Sequence, residues 1–452
     1  MQEMETKENQ IIHGVIWKQL LIFFFPILLG TFFQQIYNTA DTVVVGRFVG
    51  TEALAAVGGS TSQIINLIVG FFTGLASGAT VVISQHYGAK QEDGVQKALH
   101  TAYAFSVVGG IIISIMGILI TRPLLKLMNP PDNIIDLSAT YLCIYFAGLV
   151  FVFIYNVGAG ILRAVGDSRR PLYFLILCCF INIILDIILI VFLKMGVAGA
   201  AIATTFSQGI SAVMVTVTLC RTTDIFRLRV KKIRFHAQPM GMIVKIGLPA
   251  GLQSVMYSLS NVIIQSSLNT FGTETVAAWT AFSKIDAIYW MISGAFGIAI
   301  TTFVGQNYGA GKFGRMKKSV RVCLAMDIGA SILISAVLFF LGGYVFQLFT
   351  GDAQVIEIGV NILRRMAPAY FCFTFIEIFA GSLRGIGDVV LPMLMTWGGI
   401  CVFRVIWIVF VLPLNRTLNM IVYSYPISWA LTAVLFIIYY WKRVQQLPDT
   451  DE

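Results

Sequence analysis

Residues 160–171 read GILRAVGDSRRP, and residues 381–392 read GSLRGIGDVVLP. The two stretches lie 221 positions apart and agree in register at six of twelve residues: Gly, Leu, Arg, Gly, Asp and Pro. Outward from them the same spacing recurs. VGTEALAA at 49–56 returns as FGTETVAA at 271–278, and QHYGAK at 85–90 returns as QNYGAG at 306–311. An offset held at 221 or 222 residues over this length means an internal duplication. One copy occupies 1–220, the other 241–452, and the polar segment 221–240 joins them.

The composition names the solvent. The chain is 57% hydrophobic and 12% charged, with a mean hydropathy of +0.83. Soluble domains carry about 25% charged residues, so lipid surrounds most of this chain. A helix crosses the hydrocarbon in about 20 apolar residues. Twelve stretches qualify, at 15–45, 53–80, 95–121, 134–162, 171–193, 197–219, 241–270, 275–304, 319–347, 354–382, 389–412 and 418–441. The expected fold is an all-α integral membrane protein, with twelve transmembrane helices in two pseudo-symmetric six-helix bundles. Six spans per copy insert both copies the same way, related by an axis along the membrane normal. Two such bundles can rock about the cleft on that axis, which is the geometry of alternating access in a secondary transporter.

An even number of spans puts both termini on one side. Most of the 31 Lys and Arg fall on that side, including the run Arg227, Arg229, Lys231, Lys232, Arg234. The positive-inside rule assigns it to the cytoplasm. The net charge of +9 then faces anionic lipid headgroups, not nucleic acid. Residues 1–10 lack a basic leader, so no cleavable signal is expected. The seven cysteines are odd in number and lack a C-x-x-C spacing; they read as small buried hydrophobes. No Walker A motif is present. The four histidines show no metal-ligand spacing and no nucleophile constellation surrounds them, so an enzyme is disfavoured and no cofactor is expected.

A charge at a helix centre costs about 2.5–3.5 kcal/mol on insertion scales, and marks a functional candidate. Asp41, Asp186, Lys284, Asp286, Asp327, Glu377 and Arg404 are such charges. Asp186 follows Asn182 at i, i+4, so both share one helix face. Asp41 lies at a similar depth in the same bundle, so the two carboxylates form a candidate proton or cation site. Glu377 occupies the position that Asn156 holds in the first copy. It can bind a cationic substrate, or pair with Arg404 or Lys284. Gln34, Tyr37, Asn38, Gln253, Asn261 and Glu377 are the candidate substrate-binding residues.

These features together resemble the multidrug and toxic compound extrusion (MATE) family, in its DinF-like branch. The carriers are the twelve-span duplication, Pro26 with Asn38-x-x-Asp41, and the paired LRAVGD and LRGIGD turns. Asn182-x-x-x-Asp186, GVAGAAIAT at 196–204 and the matched QHYGA and QNYGA turns complete the set. The resemblance implies two six-helix lobes in a V, and export of organic cations or other amphipathic compounds against inward H⁺, with Na⁺ as second choice. It also implies that Asp41, Asp186, Asn182, Tyr141, Asn156 and Thr204 form the coupling network, with Asp41 as proton carrier. The implied setting is a bacterial-type plasma membrane, with small drug-like molecules as substrates and a monomeric chain. The span-seven acid of another branch is missing from IGLPAGLQSVMYSLSNVI at 246–263. A flippase for a lipid-linked precursor shares the architecture and is the alternative; it calls for a strongly cationic cavity, and Lys284 and Arg404 are the intramembrane basic candidates.

Overall fold

A computed structural model describes residues 9–128 and 132–448. Residues 1–8, including Lys7 and most of the polar start discussed above, lie outside the described residues. Among the described residues eleven helices are long and apolar enough to cross a membrane, or twelve when one bent pair counts as a single span. We label them α1 (Ile16–Phe48), α2 (Thr51–Gly88), α3 (Glu92–Lys126), α4 (Ile134–Ala147 and Leu149–Ala164), α5 (Arg169–Phe192) and α6 (Gly196–Arg221) in the first copy. The second copy holds α7 (Ala237–Phe271), α8 (Thr273–Gly309), α9 (Phe313–Gln347), α10 (Ala353–Gly385), α11 (Val390–Leu414) and α12 (Leu418–Gln445). Each corresponds to one of the twelve apolar stretches. Most run several residues past the apolar run, because helical hydrogen bonding continues after the side chains turn polar.

The span expected at 134–162 is two helices meeting at 45°. Gly148 makes the bend: a Cβ there would lie 2.5 Å from Cγ2 of Thr205, so only glycine lets α6 come this close.

The repeated phrases are helix corners. In both LRxxGD turns the glycine has positive φ, +96° at Gly166 and +88° at Gly387. The Gly166 N–H donates to the Arg163 carbonyl at 2.9 Å, and the Asp167 N–H to the Leu162 carbonyl at 2.9 Å. Gly387 and Asp388 repeat both bonds, to Arg384 and Leu383, at the same distances. This pairing satisfies the last carbonyls of a helix and needs a left-handed residue to close. The aspartates have different duties. Asp167 accepts from the backbone N–H groups of Arg169 and Arg170, both at 3.1 Å, and so caps α5. Asp388 accepts from the Tyr439 hydroxyl and pairs with Arg443 at 3.3 Å, and so ties the turn to α12.

By internal contacts the chain forms two units, Phe25–Gly251 on one hand and Met1–Phe24 with Leu252–Glu452 on the other. The duplication and the contacts divide the chain differently: one follows sequence ancestry, the other follows where each helix segment packs. In the Phe25–Gly251 unit, α2 crosses the start of α7 through glycines on both helices. A Cβ on Gly78 would lie 2.3 Å from the Ile243 carbonyl oxygen, and one on Gly247 would lie 2.4 Å from that of Leu75. In the other unit, Tyr289 and Tyr370 stack with ring centroids 4.1 Å apart beside the fully buried Trp429.

Spans five and eleven share a departure from α-geometry. Residues Ile187–Phe192 of α5 wind as a π-helix, and α11 has π-segments at Trp397–Val402 and Trp407–Val411. Asp186 is the last α-helical residue before the first of these, and Arg404 lies between the other two. π-turns are rare and gather at functional positions.

Candidate coupling site

α1, α4, α5 and α6 build a polar cluster inside the Phe25–Gly251 unit. Asp41, Asp186 and Thr204 each lie one helical turn from a residue of a buried apolar cluster. Val45 follows Asp41, Ile190 follows Asp186, and Ala200 and Ala201 precede Thr204; all four are buried in one core with Tyr141. That spacing fixes the polar groups to the same faces as the core.

Asp186 is fully buried and Asp41 is 4% exposed. Their carboxyl groups lie within hydrogen-bonding reach of each other. The Thr204 hydroxyl donates to Oδ2 of Asp41 at 2.8 Å. The Asn182 amide donates to that same hydroxyl oxygen, a longer contact of 3.5 Å. The Tyr141 hydroxyl is also within reach of Thr204. A relay therefore runs from Asn182 through Thr204 to Asp41.

The partners of the two acids are one hydroxyl, that of Thr204, one amide, that of Asn182, and each other. Among the described residues, Oδ1 of Asp41, both oxygens of Asp186 and Oδ1 of Asn182 have no donor. Carboxylates accept only, so two ionised acids cannot bond to each other. One proton converts the contact into a hydrogen bond; a bare cation can instead use the four oxygens. Burying a charge without such a partner costs several kcal/mol. The arrangement can therefore hold and release one positive charge.

The other candidate residues are placed as follows. Tyr37 is buried and accepts from the Gln208 amide at 3.1 Å, with Gln34 within reach of its hydroxyl. Asn156 donates to the carbonyl of Val152 in its own helix at 2.8 Å. The side chains of Asn38 and Asn261 are exposed. The Gln253 amide donates to the Thr396 hydroxyl at 3.3 Å. Glu377 packs on Gly297, and the charged group acting on it is Arg384, two turns along its own helix. Lys284 is exposed. Among the described residues neither Lys284 nor Arg404 forms an ion pair with Glu377.

A second polar core lies in the unit containing Leu252–Glu452. Asp286 accepts from the Tyr370 hydroxyl and the Trp290 indole, each at 2.5 Å. The Ser293 hydroxyl donates to Asp327 at 3.1 Å. Arg404 donates to the Ser428 hydroxyl at 3.0 Å, and its guanidinium lies 3.9 Å from the Tyr425 ring centroid. Aromatic faces thus hold a cation that the chain itself supplies. The sequence marked Arg404 and missed its cage; the signal was Tyr425, Ser428 and Trp429, on adjoining positions of α12.

Fold and cluster together define a duplicated polytopic membrane protein with a buried acid pair in its first half. The family model MatE matches residues 26–188 and again 249–410, once in each copy, and the chain belongs to that family of membrane transporters. It is 28% identical to the probable multidrug resistance protein YoeA of Bacillus subtilis, over 98% of this chain and 99% of that one. It is 24% identical to the multidrug export protein MepA of Staphylococcus aureus, over 99% of both. Among solved structures, a MOP superfamily transporter from Pyrococcus furiosus superposes with a TM-score of 0.91 at 24% identity, covering 98% of this chain and 99% of that one. An outward-facing multidrug resistance MATE transporter gives the same score, identity and coverage.

Proposed function

We propose that this protein is a secondary active exporter that expels amphipathic, mainly cationic, drug-like compounds in exchange for H⁺. Transport proceeds by alternating access in the plasma membrane of a bacterial-type cell, with both termini in the cytoplasm and a single chain as the working unit. The reading rests on the Asp41–Asp186 contact, two buried acids without a cationic partner among the described residues. A site that needs exactly one positive charge to complete its bonding can be loaded from one side of the membrane and emptied to the other. The names of YoeA and MepA support the substrate class. Na⁺ is the second reading, supported by the four oxygens that lack donors. A lipid-linked precursor is the alternative cargo.

The test is efflux of a fluorescent organic cation from proteoliposomes. An imposed pH gradient is compared with an imposed Na⁺ gradient. Efflux under the pH gradient alone is the expected result. Efflux under Na⁺ alone selects the second reading. Inaction under both, with translocation of a fluorescent lipid, overturns the exporter.

A further inference from the structure

The segment 221–240 is a folded wall rather than a slack tether. Three α3 residues hold it. The Gln96 amide donates to the carbonyls of Ile225 and Arg227. His100 accepts the Arg229 backbone N–H at 3.1 Å, and Thr101 accepts that of His236 at 3.1 Å. Phe226 and Leu228 are buried beneath it. Between this wall and α3 lies a cavity of about 550 Å³, a size typical of small-molecule sites.

The lining is predominantly basic. Lys97, Arg227, Arg229, Lys232 and Arg234 face three acids, Glu92, Asp93 and Asp224. Lys97 is already paired with Asp93 at 2.6 Å. Among the described residues, the side chains of Arg229 and Lys232 have no acidic partner. His100 donates from Nδ1 to the Gln96 carbonyl at 2.7 Å and accepts at Nε2, so both ring nitrogens are taken up as a strut. Topology requires only that basic residues lie on this side. It does not require a cavity, nor backbone anchors that hold the cations around one.

We propose that this cavity binds a phosphate-bearing anion through Arg229, Lys232 and Arg234. Arginine forks and a lysine ammonium are the donors that phosphate oxygens take best. A soluble phosphate compound and a phospholipid headgroup share this chemistry, and the experiment separates them. The inference stands apart from the coupling ion and the exported compound.

Full-length protein in phosphatidylcholine nanodiscs is titrated with inorganic pyrophosphate by calorimetry. In parallel, protein purified from membranes is assayed by native mass spectrometry for retained phosphatidylglycerol. R229Q/K232Q is compared with the charge-matched K318Q/K442Q, whose residues do not line the cavity. Both pairs are exposed, and thermal unfolding checks that the folds are equal. A loss of about tenfold or more in R229Q/K232Q alone is expected, the scale of one charge-assisted bond. Loss in the pyrophosphate arm assigns a soluble ligand; loss of retained lipid assigns a headgroup. Equal loss in both variants reduces the site to general surface charge and overturns it. No binding of either probe to the native protein also overturns it.

Discussion

Asp41 and Asp186 were legible in the sequence because a carboxylate inside an apolar run is costly and therefore conspicuous. Their contact gives a sharp expectation. Asp41→Asn should abolish gradient-driven efflux while membrane insertion and thermal stability are retained, since an amide can still accept from Thr204 and can donate to Asp186. Counterflow of substrate, which needs no gradient, separates loss of coupling from loss of the pathway. Thr204→Ala removes one bond to a charged acceptor, worth about 1.5–3 kcal/mol, so efflux at a given pH gradient should fall about tenfold or more without vanishing. Thr204 and Tyr141 entered only through the family resemblance. Hydroxyls abound in helices and usually bond their own backbone, as Ser207 does with Ala203 at 2.7 Å, so spacing alone does not single them out. Asn156 behaves in that ordinary way, with its amide donating to the Val152 carbonyl of its own helix. His236 carries a pH expectation of a different kind. Burial first, then Arg234 and Lys97, push its pKa below the ordinary 6.5, against a smaller opposing pull from Asp93. It is neutral at pH 7 and gains charge only as pH falls below that value, so anion affinity at the cavity should rise on acidification. His236→Asn should flatten the rise.

Helix number, order and duplication were readable because hydrophobic length is a property of composition. The π-segments after Asp186 and around Arg404 were not. They change winding, not polarity, and leave no compositional trace. The bend in α4 was equally hidden, since one glycine among many set it and its reason lies in Thr205, far along the chain. The corner glycines make a clean test at this scale. Gly387→Ala places a Cβ on a residue at φ +88°, a conformation that costs an L-residue about 1–2 kcal/mol, so thermal stability should drop by that amount. Gly78→Val meets backbone instead of empty space, 2.3 Å from the Ile243 carbonyl. The α2 and α7 segments must then separate, and the expected loss in stability exceeds that of Gly387→Ala.

Across the whole molecule, the coupling reading constrains how steep a gradient the protein can sustain. Exchange of one monovalent cation for one H⁺ moves no net charge, so the membrane potential drops out. The pH gradient then supplies about 1.4 kcal/mol per unit, or about a tenfold accumulation ratio. Two protons per cycle would raise the limit and make transport sensitive to voltage. Measuring the steady-state dye ratio against imposed pH difference, with and without valinomycin and K⁺, distinguishes the two. One shared proton in the acid pair leads us to expect the shallower slope and no effect of voltage.

The Asp167 and Asp388 turns bear on how far the two copies can replace each other. Asp167 takes its partners from the helix that follows, whereas Asp388 takes them from Tyr439 and Arg443 near the far end of the chain. At the positions matching those two residues the first copy has Thr218 and Thr222. At the position matching Arg170, whose guanidinium also pairs with Asp167 at 3.1 Å, the second has Leu391. A tandem fusion of two first copies would thus close every corner yet leave its final helix unclasped. Ancestral symmetry has been traded for two incompatible latches, and the copies are no longer interchangeable cassettes.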